Sequence, residues 1–163
     1  MTTTLKSHLW QQFGAAIDML ENAIAVYPDE EWNNAPNFCR LSHHTVFYLD
    51  YYLSDTPDQA DYFPPPPFTK SEFERKATFI HYKKEDLLMF VGVGREKLRA
   101  QLSKNTDEEL LTKRFTSKRK DFTLFEMLMY NMRHVQHHAA QLNLLLRQAG
   151  ITPPGWVSVT KRI

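Results

Sequence analysis

The chain has 163 residues, 42% hydrophobic and 13% aromatic, which suits one folded domain over 1–163 and argues against wholesale disorder. Its 20 Lys and Arg against 19 Asp and Glu leave a formal charge of +1, without the basic excess that a dedicated nucleic-acid binder needs for phosphate contacts. The lone cysteine, Cys39, excludes an internal disulfide and fits a reducing, cytoplasmic setting.

Four segments carry helical periodicity, and none alternates convincingly at period two. The first covers residues 4–27, with Leu9, Phe13, Ile17, Leu20 and Ile24 spaced by threes and fours until Pro28 ends it. The second covers 41–53, with Leu41, His44, Phe47, Tyr48 and Tyr51 on one side and Ser42 as its expected cap. A crossover over 54–83 follows. It holds Pro64-Pro65-Pro66-Pro67 between aromatics, which reads better as a stiff connection than as a ligand for a proline-reading module. Within it, Thr69-Lys70-Ser71-Glu72 and Ser71-Glu72-Phe73-Glu74 each match a capping box, so a short extra helix is expected there. The third helix covers 84–102; its Gly92-Val93-Gly94 lacks the third glycine of a phosphate-binding fingerprint. The fourth covers 123–149, with Gly150 where a C-cap glycine belongs and a tail over 151–163. No apolar run reaches the roughly 18 residues of a membrane span, and Met1-Thr2-Thr3-Thr4-Leu5 does not resemble a signal peptide. The expected fold is all-α, a four-helix bundle with a long crossover between helices two and three.

The fourth helix carries the chemistry. Leu124, Met127, Asn131, His134, His138, Gln141 and Leu145 follow a three-four spacing, the seam that a bundle helix buries. Its four central positions are polar, and burying each without a partner costs about 1–3 kcal/mol. A metal ion satisfies them economically. His134 and His138 lie about 40° apart around the helix, so both rings can converge on one ion. His137 is a weaker partner for His134 at three residues' spacing. Helix two supplies the third ligand, with His44 the best donor and His43 the second choice. Asn131 and Gln141 are expected beside the ion, holding water or substrate, with Met127, Phe47 and Tyr48 lining the pocket. Position 135 is Val, which removes the general base of an HExxH protease, and no Glu-x-x-His repeat suggests a di-iron site.

The stretch from His134 through His137, His138 and Gln141 to Arg147 and Gly150 resembles the last helix of the DinB-like superfamily. The stretch from His44 through Tyr48 and Asp50 to Leu53 resembles its second helix. The resemblance implies a four-helix bundle with a three-histidine metal site at His44, His134 and His138. It also implies a metal-dependent enzyme: either a transferase or isomerase using a low-molecular-weight thiol such as bacillithiol or mycothiol, or a hydrolase. The donor set suits zinc or nickel.

Between these chemistries the sequence favours a small-thiol transferase acting on a small-molecule substrate. Hydrolysis needs a proton acceptor near the metal's open face, and the nearest candidates, Asp50 and His137, are off the seam. A non-catalytic, metal-stabilised interaction module is the remaining alternative. Cys39, five residues before His44, is weighed as a nucleophile or fourth ligand and read as inert core. The basic residues Lys113, Arg114, Lys118, Arg119 and Lys120 read as a solvated loop rather than a DNA contact. Trp10, Trp32 and Trp156 leave room for a homodimer.

Overall fold

A computed structural model describes residues 4–56, 58–76 and 78–162. Its long helices are α1 (Leu5–Val26), α2 (Pro36–Tyr52), α3 (Lys84–Lys104) and α5 (Leu124–Gln148). A short α4 (Asp107–Thr112) and a two-stranded hairpin, β1 (Arg114–Thr116) and β2 (Asp121–Thr123), lie between α3 and α5. The chain is therefore predominantly helical. Helix α1 packs chiefly against α3 and α5, and α2 against the same two. No helix among the described residues is long and apolar enough to cross a membrane.

Local chemistry sets the helix ends. Thr4 caps α1 through a reciprocal pair of bonds with Ser7, and Thr123 caps α5 in the same way with Glu126. Gly150 takes φ 75° just past α5, a left-handed turn that glycine enters without a Cβ clash. Helix α2 begins earlier than the periodicity suggests. Pro36 opens it with a φ already suited to a first turn, and Phe38 packs beneath Tyr27 and Trp32. Ser42, the expected cap, is instead buried within the helix.

Contacts at the helix ends give their directions. The Tyr82 carbonyl, just before α3, accepts from Trp32 Nε1 at 2.9 Å and Cys39 Sγ at 3.6 Å near the start of α2. At the other end, Gln101 Nε2 donates to the Leu53 carbonyl at 2.9 Å. Helices α2 and α3 thus run in the same direction, and the crossover spans their length. Gly94 permits their close approach: a Cβ there would stand 2.7 Å from Leu49 Cδ2.

The crossover is held by buried aromatics. Tyr62 packs on Phe47 and Tyr51, and its hydroxyl donates to Asp50 Oδ2 at 2.6 Å. Asp50 also pairs with Lys97 Nζ at 2.7 Å. Phe68 stacks on Phe90 and on the His43 ring. The expected extra helix is only a 3-10 turn over Lys70–Phe73. Thr69 caps it, accepting from Ser71 N, while the Glu72 side chain turns inward.

Candidate metal centre

Helix α5 runs antiparallel to α2, anchored where Asn131 Nδ2 donates to the Leu49 carbonyl at 3.0 Å. One turn along α5 and one turn back along α2, His134, His138 and His44 come together. A ring nitrogen from each lies within 4.8 Å of the other two, and the ring centroids are 4.5–5.4 Å apart. His44 Nε2 and His134 Nε2 are 3.4 Å apart. Two nitrogens bound to one tetrahedral ion at about 2.1 Å would stand about 3.4 Å apart.

Neighbours set which nitrogens carry lone pairs. Glu72 Oε2 lies 2.8 Å from His44 Nδ1, and a carboxylate only accepts, so Nδ1 holds the proton and Nε2 is free to ligate. Gln141 Oε1 lies 2.6 Å from His138 Nδ1 and leaves that ring's Nε2 free in the same way. Burial, reinforced by the other histidines, pushes His134 down to about 3. Burial also lowers His138, against the opposing hydrogen bond to Gln141. At neutral pH both rings are uncharged, the form that binds metal. His134 Nδ1 is buried with no hydrogen-bond partner among the described residues. The donor set and its spacing fit a divalent ion.

Glu72 is held by both neighbouring histidines. Burial works against its charge, but hydrogen bonds from His43 and His44 prevail and hold it at about 2. The carboxylate–imidazole contact behind His44 is the arrangement that orients metal-binding histidines elsewhere.

The cluster opens into a cleft of about 680 Å³. Tyr48, Tyr51, Tyr52 and Tyr130 line it together with the hairpin turn from Ser117 to Lys120, whose Lys120 Nζ lies 4.4 Å from the centre of the Tyr130 ring.

The profile of the DinB family matches residues 1–161. The chain belongs to the DinB family. No curated protein matches it. Family membership and the three-histidine cluster together are compatible with a divalent metal.

Other residues singled out in the sequence take different places in this DinB-family chain. His43 lies outside the cluster, buried between Phe68 and Tyr82. Cys39 is fully buried against the Tyr82 carbonyl, and burial raises its thiol. Asp50 is enclosed by Tyr62 and Lys97, and His137 is exposed beside His138, outside the cluster. Phe47 and Met127 belong to the core rather than the cleft wall, whereas Tyr48 does line it.

The seam needs correcting. The buried line of α5 runs through Leu128, Asn131, Val135, Ala139, Leu142 and Leu146, close to the helix's own 3.6-residue period. A strict seven-residue seam drifts about 20° per heptad from that line. His134 and His138 therefore sit half-buried at its edge, and Gln141 is exposed. Asn131 is buried, but its amide secures the α2 backbone rather than a water at the histidines.

Glu72 escaped the sequence reading because its place in a capping pattern already accounted for it. The tyrosine wall escaped because Tyr52 and Tyr130 sit on different helices, with no spacing to link them. The hairpin escaped because its strands have three residues each, too short for alternation to register.

Proposed function

We propose that this protein is a metal-dependent transferase whose co-substrate is a small thiol, with zinc or nickel held by His44, His134 and His138 in a four-helix bundle. The observation that carries the reading is three imidazoles converging, two with their free nitrogens fixed, at the edge of a cleft large enough for small molecules. A divalent ion there supplies Lewis acidity that lowers the pKa of a thiol or water at its open position.

The chain's own residues handle orientation and protons. Glu72 fixes the His44 tautomer, and Gln141 that of His138. Tyr130 is the proton-handling group of the cleft. Its oxygen accepts from Lys120 Nζ at 3.2 Å, which leaves its own O–H to donate to a ligand. Burial opposes its ionisation, but the neighbouring Lys120 cation and Tyr52 hydroxyl outweigh burial and lower its pKa. Asp58 is the carboxylate among the cleft-lining residues, and its Oδ1 accepts from the Ala60 backbone. Asp50 and His137, the groups weighed as hydrolytic bases, are not among the residues that line the cleft.

The test is turnover of electrophiles by metal-loaded protein with and without a low-molecular-weight thiol. Thiol-dependent turnover that vanishes in His138→Ala is the expected result. Cleavage of simple esters or amides at a rate indifferent to thiol would replace this reading with a hydrolase.

A further inference from the structure

The hairpin that walls the cleft is built rigidly. Phe115 on β1 is buried close to the Tyr51 and Tyr52 rings and faces Phe122 on β2. The turn is closed by Ser117 N donating to the Lys120 carbonyl at 2.8 Å, while Ser117 Oγ accepts from Arg119 N and Lys120 N. Three consecutive cations, Lys118, Arg119 and Lys120, therefore sit at one lip of the cleft.

Their pairing differs from that of nearby cations. Lys113 pairs with Glu109, and Arg114 with Asp121. Lys120 is engaged by Tyr130, both at its hydroxyl and above its ring. Among the described residues, no carboxylate forms a salt bridge with Lys118, Arg119 or Lys120, and Asp58 is the acidic residue lining the cleft. The whole chain carries a formal charge of only +1, so this concentration is local. Beside a divalent ion it is repulsive in a concave site, where field lines are focused. An anion relieves that repulsion.

We infer that Lys118 and Arg119 form an anion-recognising wall, so that the molecule entering the cleft carries a carboxylate or phosphate remote from the atom held at the histidines. This rests on the metal-centre reading of the same cleft. Lys120, already engaged by Tyr130, adds charge to the wall. The tyrosine rings receive the apolar body of the ligand, and the guanidinium of Arg119 offers a bidentate fork to its anionic end.

Cobalt-substituted protein tests this, because a thiolate that joins the ion produces an absorption band. The probes are 6-mercaptohexanoate, 6-mercaptohexyl phosphate, neutral 6-mercaptohexanol and cationic 6-aminohexanethiol, whose far ends are too remote for easy chelation. The anionic probes should bind about tenfold tighter than the alcohol, and the amine weakest. The stronger of the carboxylate and phosphate arms identifies the anion. Lys118→Ala/Arg119→Ala should erase the preference while still taking up cobalt, and added salt should weaken it in the wild type. Equal affinities in the presence of a thiolate band, or a preference that survives the double substitution, would overturn the inference and leave the metal centre standing. Failure to bind cobalt at all would overturn both, and uptake measured before any thiol is added separates that failure from the other.

Discussion

At the scale of single residues, the histidine cluster works through its protonation states. His134 lies at about 3 in the fold, against an ordinary value of about 6.5. Between those values the unfolded chain binds a proton that the folded chain refuses, so stability rises with pH across that window. The stabilisation is complete above about 6.5 and is lost as pH falls toward 3. In metal-free protein the thermal midpoint should drop on acidification from pH 7 to 5, more steeply than in His134→Gln; parallel curves would contradict this. Glu72→Gln removes the charge behind His44, so metal affinity should fall about 10- to 100-fold. Titration against a competing chelator measures it, and unchanged affinity would show that the carboxylate only packs. Tyr130→Phe removes the hydroxyl that Lys120 and Tyr52 support. Thiol-dependent turnover should fall about 100-fold or more with metal content unchanged, whereas a purely structural role would shift the thermal midpoint and spare the rate.

At the scale of elements, two contacts hold the helices that carry the site. Gly94→Ala would place a methyl 2.7 Å from Leu49 Cδ2 and 2.8 Å from Leu49 Cγ. Separating α3 from α2 should cost about 1–3 kcal/mol, read as a lower denaturant midpoint. Tyr62→Phe would take the hydroxyl from the fully buried Asp50 and leave Lys97 beside that carboxylate. Its cost should be of similar size, about 1–3 kcal/mol. The helices themselves announce their positions in the sequence. Leu9, Phe13, Ile17, Leu20 and Ile24 form the buried stripe of α1 as their spacing indicates, and Gly150 marks the end of α5. The start of α2 is hidden because Phe38 is buried by Tyr27 and Trp32 and Cys39 lies against the Tyr82 carbonyl, contacts from outside the helix that periodicity does not contain. The hairpin is specified by pairing between Phe115 and Phe122, seven residues apart, and short alternation carries no trace of it.

At the scale of the whole molecule, the candidate site lies where two helix edges meet rather than at the centre of the core. His44 and His134 sit half-buried on the borders of their buried faces, which explains how polar side chains occupy apparently apolar stripes. Sequence spacing brought the three histidines into consideration; the antiparallel pairing of α2 with α5 brings them together. The supporting parts, Glu72 from the crossover and Lys120 from the hairpin, arrive from connections whose course depends on tertiary packing. A ligand that binds only the folded chain also stabilises it, by about 3 kcal/mol at a hundredfold excess over Kd. Zinc or nickel should therefore raise the thermal midpoint of the wild type and leave that of His138→Ala unmoved.

The central claim is that His44, His134 and His138 hold one divalent ion. Its most direct measurement is the metal content of purified protein after equilibration with zinc or nickel and removal of excess ion. The account predicts one ion per chain in the wild type and in His43→Ala, and loss of that ion in His44→Ala, His134→Ala and His138→Ala, each checked for folding by circular dichroism. A folded wild type that retains no metal, or a folded His138→Ala that retains a full equivalent, would contradict it.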